Sequence, residues 1–157
     1  MQDNPRYIGR FHGFAGEPEC YRPFSDEDRE RLTGRLPDAM LDFLALDGWS
    51  SFRKKALWFC DPDDMLDVKQ SWLKRFPQAE IFLRTALGDF YFWDGEYCWS
   101  CLVHTSRIMY ACNNITWFFA DFITDIALFK ALRLPKPFFS RRNLSLLGRI
   151  HTRKRGS

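Results

Sequence analysis

Two cysteines three apart, Cys98-x-x-Cys101, are the first residues whose types and spacing could do chemistry, as a redox pair or as half of a metal site. On a regular strand, residues an odd number apart point to opposite faces, so these thiols cannot hold one ion without a bulge. No second Cys pair and no His pair completes a set of four ligands. The histidines, His12, His104 and His151, are scattered, and no nucleophile elbow accompanies them. Asp61, Asp63, Asp64 and Asp67 are dense enough to suggest a metal cluster, but they follow the spacing of helix capping rather than of a calcium loop. Gly88-Asp89 is a single turn glycine, not a phosphate cradle. No catalytic residue, cofactor or metal is therefore expected, and the chain reads as a binding protein rather than an enzyme.

The elements that would position these residues centre on the aromatic run from Phe82 to Val103, broken by Gly88-Asp89 and Asp94-Gly95. Asp-Gly between hydrophobic runs predicts a hairpin with a type I′ turn, and hence an antiparallel meander. Strands are expected near 79–85, 89–94, 96–104 and 107–112, preceded by a short one at 56–60. Phe90 and Phe92 should share one face, Tyr91 and Trp93 the other, so both faces need cover. Ser25-Asp26-Glu27-Asp28 has the form of a capping box opening a helix to about Leu32. A second helix is expected over 36–46, stopped by Gly48. A third starts at Asp61-Pro62 and runs to about Phe76, with Met65, Val68, Trp72 and Leu73 inward. Asn113 or Asn114 caps a last one, with Trp117, Phe118, Phe122, Ile126, Phe129 and Leu132 inward. Residues 1–25 read as an irregular arm and 49–55 as a loop. The fold class is α+β: an antiparallel β-meander of about five strands flanked by three or four helices, with residues 1–134 as one domain and 135–157 as a basic tail.

At 157 residues the chain is long enough for one domain with a substantial core, and sixteen Phe and six Trp argue against disorder. Its charge is uneven: residues 1–125 hold fourteen basic and twenty acidic side chains, a net −6, while the rest holds nine basic and no acidic ones. The opening Met-Gln-Asp-Asn-Pro-Arg leads into no apolar run and no stretch approaches ~18 apolar residues, so neither a secretion leader nor a membrane span is expected. Five cysteines, Cys20, Cys60, Cys98, Cys101 and Cys112, suit free thiols in a reducing cytoplasm better than a disulfide framework.

Five segments in order resemble a known family: Leu36-Pro37-x-x-Met40-Leu41-x-Phe43; Gly48-Trp49; Leu57-Trp58-Phe59-Cys60-Asp61-Pro62-Asp63-Asp64; Phe82-x-Arg84-Thr85-Ala86-Leu87-Gly88-Asp89 with Trp93-Asp94-Gly95; and Trp117-Phe118-Phe119-x-Asp121-Phe122. This set, across residues 36–125, is similar to the GAD-like immunity proteins of bacterial type VI secretion systems. The resemblance implies a cytoplasmic, non-catalytic protein that binds a cognate toxin, in the best-known members a DNA-degrading effector, and so protects the producing cell and its kin. The short basic stretch from Leu134 to Ser157 departs from the apolar, glycine-containing continuation usual in the family.

On that reading the acidic body complements a nuclease, which is basic where it holds DNA, and a few desolvated aromatics anchor the complex. Asp63, Asp64, Glu96, Tyr97 and Trp99 are the expected partner-binding residues. The alternative is a nucleic-acid-binding accessory or regulatory protein that acts through the basic tail, with DNA affinity falling steeply in salt.

Overall fold

A computed structural model describes residues 6–122 of the chain. Seven strands form one sheet: β1 (Glu19–Arg22), β2 (Trp49–Phe52), β3 (Leu57–Phe59), β4 (Glu80–Thr85), β5 (Phe90–Trp93), β6 (Cys98–Leu102) and β7 (Arg107–Cys112). Their order in the sheet is their order in the chain, and each neighbouring pair is antiparallel. Five helices accompany it: α1 (Arg6–Ala15), α2 (Asp26–Leu32), α3 (Asp38–Asp47), α4 (Leu66–Trp72) and α5 (Ile115–Trp117), which widens into a π turn over Phe118–Phe122. The meander is thus longer than the expected five strands. The end of the expected last helix, the turn near 144–147 and the basic tail lie outside the described residues.

Two expected irregular stretches are regular. Residues 6–15 form α1, burying Ile8, Phe11 and Ala15 at helical spacing, and residues 19–22 form edge strand β1. Gly9 and Gly13 weaken the sequence signal, yet both sit where a side chain would meet open space. Residues 49–52, expected as loop, form β2, which is buried along its whole length between β1 and β3. Its serines are tolerated there because the ladder satisfies their backbone, and Ser50 Oγ donates to the Asp47 carbonyl at 2.6 Å.

Where local chemistry is explicit, the elements start as expected. Ser25 and Asp28 form a reciprocal capping box at α2. Asp61 accepts from the Asp63 amide over a 3₁₀ turn, Pro62–Met65, that leads into α4. Asn114 Oδ1 takes the Thr116 amide at the start of α5. α4 stops at Trp72, not at Phe76, because Leu73 turns into the core, and the chain doubles back through Phe76. Trp72, expected inward, is 38% exposed, and Trp117, also expected inward, is 45% exposed. The Asp94-Gly95 turn is not type I′: only Gly95 has positive φ. Instead the Asp94 carboxylate accepts the Glu96 and Tyr97 amides at 2.9 and 2.7 Å, an Asx turn.

Both faces of the sheet are covered, and the alternation on β5 holds. Tyr91 lies on the α1–α3 side, where Phe11, Phe43, Phe52, Phe59 and Phe119 interlock at centroid distances from 4.5 to 6.2 Å. Phe90 and Phe92 face the other way, with Cys60, Leu73, Ile81 and Cys101 under α4. Cys98 and Cys101 belong to opposite faces, as their spacing requires. A close contact between His12 Nε2 and Asp47 Oδ2, 2.6 Å, fastens α1 to the end of α3.

Gly48 makes the tight passage from α3 into β2. Its φ of 71° and ψ of −172° lie in a region that only glycine occupies readily, and its amide donates to the Leu44 carbonyl. An added Cβ would sit 2.7 Å from Cys20 Sγ and 3.0 Å from the Arg22 carbonyl oxygen. Gly48→Ala is expected to cost about 2 kcal/mol from backbone strain and this clash. Chemical denaturation measures it, and an unchanged midpoint would show that Gly48 is not a constraint.

Candidate partner-binding site

The acidic turn after β3 is held by arginines from three other segments. Arg31, on α2, donates to Asp28 at 2.7 Å, to both oxygens of Asp61 at 2.7 and 2.9 Å, and to Asp63 at 2.5 Å. Arg22, on β1, adds a 2.9 Å contact to Asp61 and stacks over the Trp49 ring. Arg35 spans from Asp63 to Glu80, at 2.7 and 2.9 Å. The buried Trp49 indole donates to the other Asp28 oxygen at 3.1 Å. Burial opposes ionisation of Asp28, but the Ser25 amide, Trp49 and Arg31 outweigh it and hold the carboxyl down at about 2. Burial likewise opposes Asp61, where Arg31 and the Asp63 amide prevail and lower it. At Asp63 the bond from Arg35 dominates and lowers it.

Of the residues expected to meet a partner, Asp63 is therefore engaged within the domain, and Asp64 is exposed on the same turn. Glu96, Tyr97 and Trp99 lie together at the β5–β6 turn and the start of β6. The two groups share one end of the sheet: Glu80, the last acid of the arginine network, pairs with Trp93, one residue before that turn. Trp99 is pinned by its indole N–H to Asp94 Oδ2 at 2.8 Å. The bond with the Glu96 carboxylate holds the Tyr97 phenol above its usual range.

These side chains continue into a surface that runs the length of β6 and β7. Tyr110 packs edge-on against Tyr97 at 5.7 Å and Trp99 at 5.9 Å, and is itself 40% exposed. Phe76 backs Trp99 at 5.2 Å, joining this strip to the α4 layer. Toward the far end, a cleft of about 460 Å³ opens between the end of α4 and β7, lined by Ser71, Trp72, Lys74, Arg75, Ser106 and Ile108. An aromatic strip, acidic at one end through Glu96 and basic at the other through Lys74 and Arg75, thus lies beside edge strand β7. Ser106, in the left-handed region at φ 52°, turns the chain between β6 and β7. A separate cleft of about 560 Å³ lies between α1 and α5, lined by Arg6, Tyr7, Arg10, Asn114, Thr116, Trp117 and Ala120.

Tyr110, Ile108, Trp72, Lys74 and Arg75 were not expected at this surface. Ile108 and Tyr110 do alternate with period two, which places them on one face, but which face stays open became evident only from where α4 stops. Of the histidines described, His12 meets Asp47, and His104 lies by the Leu87 carbonyl at 3.1 Å. Among the described residues no three His, Cys, Asp or Glu side chains group as metal ligands, and no helix is long and apolar enough to cross a membrane.

The architecture defines an α+β domain, one meander sheet with helices on both faces and an aromatic strip along its last strands. The chain belongs to the GAD-like domain family, which matches residues 8–106, from α1 to the turn before β7. The fold is similar to the crystal structure of Atu4351 from Agrobacterium tumefaciens, with a TM-score of 0.57 at 19% identity. That similarity covers 63% of this chain but 48% of the other, so the chain spans about half the length of that neighbour. No curated protein matches the sequence.

The carboxylates of the network set an acid limit on stability. Asp28, Asp61 and Asp63 give up protons more easily folded than unfolded, so the unfolded chain binds more protons in acid. Their contribution is complete above the unfolded carboxyl value of about 4 and drains away as pH falls toward the folded Asp28 value of about 2. Arg31 keeps 33% of its side chain exposed. Arg31→Ala is therefore expected to cost about 2 kcal/mol at neutral pH, less than breaking a fully buried pair. The loss should shrink as pH falls from 4 to 2, read from urea midpoints across that range; a loss independent of pH would contradict the network's role.

Proposed function

We propose that the chain is an immunity-type binding protein that neutralises a cognate secreted toxin, a nuclease effector of a type VI system, by occluding or distorting its active domain. Membership of the GAD-like family and the ordered segments over residues 36–125 motivate this reading. The observation that carries it is the aromatic strip of Tyr97, Trp99 and Tyr110 beside an edge strand, with charges of opposite sign at its two ends.

Its physics suits protein recognition. Rigid aromatics contribute contact area at little conformational cost, and such residues dominate the energy of interfaces. Trp99 is oriented by Asp94 and backed by Phe76 and Phe92 before any partner arrives, so little ordering cost remains on binding. The charges at either end would steer encounter and fix register rather than supply most of the affinity.

Co-expression with the product of the neighbouring gene tests the reading: a stable complex and restored growth are expected, and the absence of both would overturn it. Within such a complex, Tyr110→Ala or Trp99→Ala should weaken binding about 30-fold, corresponding to ~2 kcal/mol at an anchor position. Isothermal titration with the purified partner measures this, with circular dichroism to show that each variant remains folded. Unchanged affinity for both would place the contact elsewhere on the domain.

A further inference from the structure

The thiol that Cys98 meets is not Cys101 but Cys112. In the β6–β7 ladder Cys98 stands directly opposite Cys112, and the register shifts by one residue between Cys98 and Trp99. That shift decides the geometry. Ile108 packs on the α4 side of the sheet and Tyr110 stacks on Trp99 there, so simple alternation would send Cys112 to that side as well. The extra residue, Ala111, resets the alternation, and both Ala111 and Cys112 enter the α1–α3 core with Cys98.

We propose that Cys98 and Cys112 are a redox-active dithiol that closes into a reversible cross-strand disulfide when the protein meets a low-molecular-weight disulfide oxidant. Opposed residues in antiparallel strands have Cα atoms about 4.5–5.5 Å apart, within the 4.4–6.8 Å that a disulfide spans. The two side chains already hydrogen bond to each other, so closure needs rotation about χ1 rather than movement of the strands. Burial pushes the Cys98 thiol up, while the bond from Cys98 lowers that of Cys112. Cys112, at the strand end with a small exposed surface, is the attacking group; Cys98 is wholly buried.

The chemistry balances with the oxidant alone. The Cys112 thiolate attacks one sulfur of the reagent, whose S–S bond breaks, and the released thiolate takes up a proton. Cys98 then gives up its proton and attacks the Cys112 sulfur, expelling the second half of the reagent as a thiol. Two protein thiols are oxidised and the reagent is reduced to two thiols. The product ties β7 to β6 two residues from Tyr110. This inference does not depend on the toxin-binding reading.

The test incubates the reduced, full-length protein with oxidised glutathione, alkylates the remaining thiols and maps the digested peptides by mass spectrometry. A Cys98–Cys112 linked peptide is expected, with about tenfold less alkylation of both cysteines, reversal by dithiothreitol and a rise in Tm. Cys101→Ser should form the same bond at an unchanged rate, and Cys112→Ser should lose both the bond and the Tm rise. Alkylation of Cys98 and Cys112 that is equal before and after oxidation would overturn the proposal, as would a bond mapped to Cys98–Cys101. The wild-type map decides even if a variant fails to fold.

Discussion

One guanidinium, Arg31, is shared by three carboxylates from two segments, and the rest of the domain is arranged around that sharing. Asp28 and Asp61 are almost fully buried, and a buried carboxylate without partners is too costly to keep ionised. Arg31 is long enough to serve both because α2, started by its own capping box, presents Asp28 and Arg31 on one face at i and i+3. The turn after β3 supplies Asp61 and Asp63, so folding of α2 and of the third strand become mutually dependent. Arg35 extends the same logic to β4 through Glu80, and Arg22 extends it to β1. Charges from four segments are thus locked at one end of the sheet, which leaves the body's formal −6 less available to an outside partner than its count implies.

The second constraint is the two-sided sheet. A meander whose middle strands carry Phe and Tyr on both faces is stable only if each face finds cover. α1 and α3 close one side with an interlocked set of phenylalanines, each a large payload of buried apolar surface. The other side is closed by α4 and the return through Phe76, a much smaller lid. That asymmetry explains the surface along β6 and β7: the lid ends at Trp72, and the aromatic residues beyond it are only partly covered.

How much of this was readable from residue order depends on how local each cause is. The caps at Ser25, Asp61 and Asn114, and the faces of β5, follow from neighbours within four residues, and each appears where its chemistry puts it. α1 was obscured because Gly9 and Gly13 suppress helix propensity on a face that touches nothing, while packing of Phe11 against Phe43 and Phe59 supplies the stability. β2 was obscured because two central serines break the apolar run; they are acceptable only once strands on both sides exist. The same limit applies to the site. Tyr97 and Trp99 stand out as aromatics beside a turn, whereas the role of Asp63 depends on arginines about thirty residues earlier, a relation that no local pattern encodes.

Spacing misleads most where register intervenes. Cys98 and Cys101 look paired because they are close in sequence, but strand alternation separates them by the thickness of the sheet. Cys98 and Cys112 look unrelated, yet one inserted residue on β7 brings them into the same core. A bulge therefore does two things at the edge of this sheet: it turns Cys112 inward, and it leaves Tyr110 facing the aromatic strip beside Trp99. Removing that extra residue would undo both at once, since every side chain beyond it on β7 would exchange faces. The inner chemistry and the outer surface of the last two strands are set by the same single residue of register.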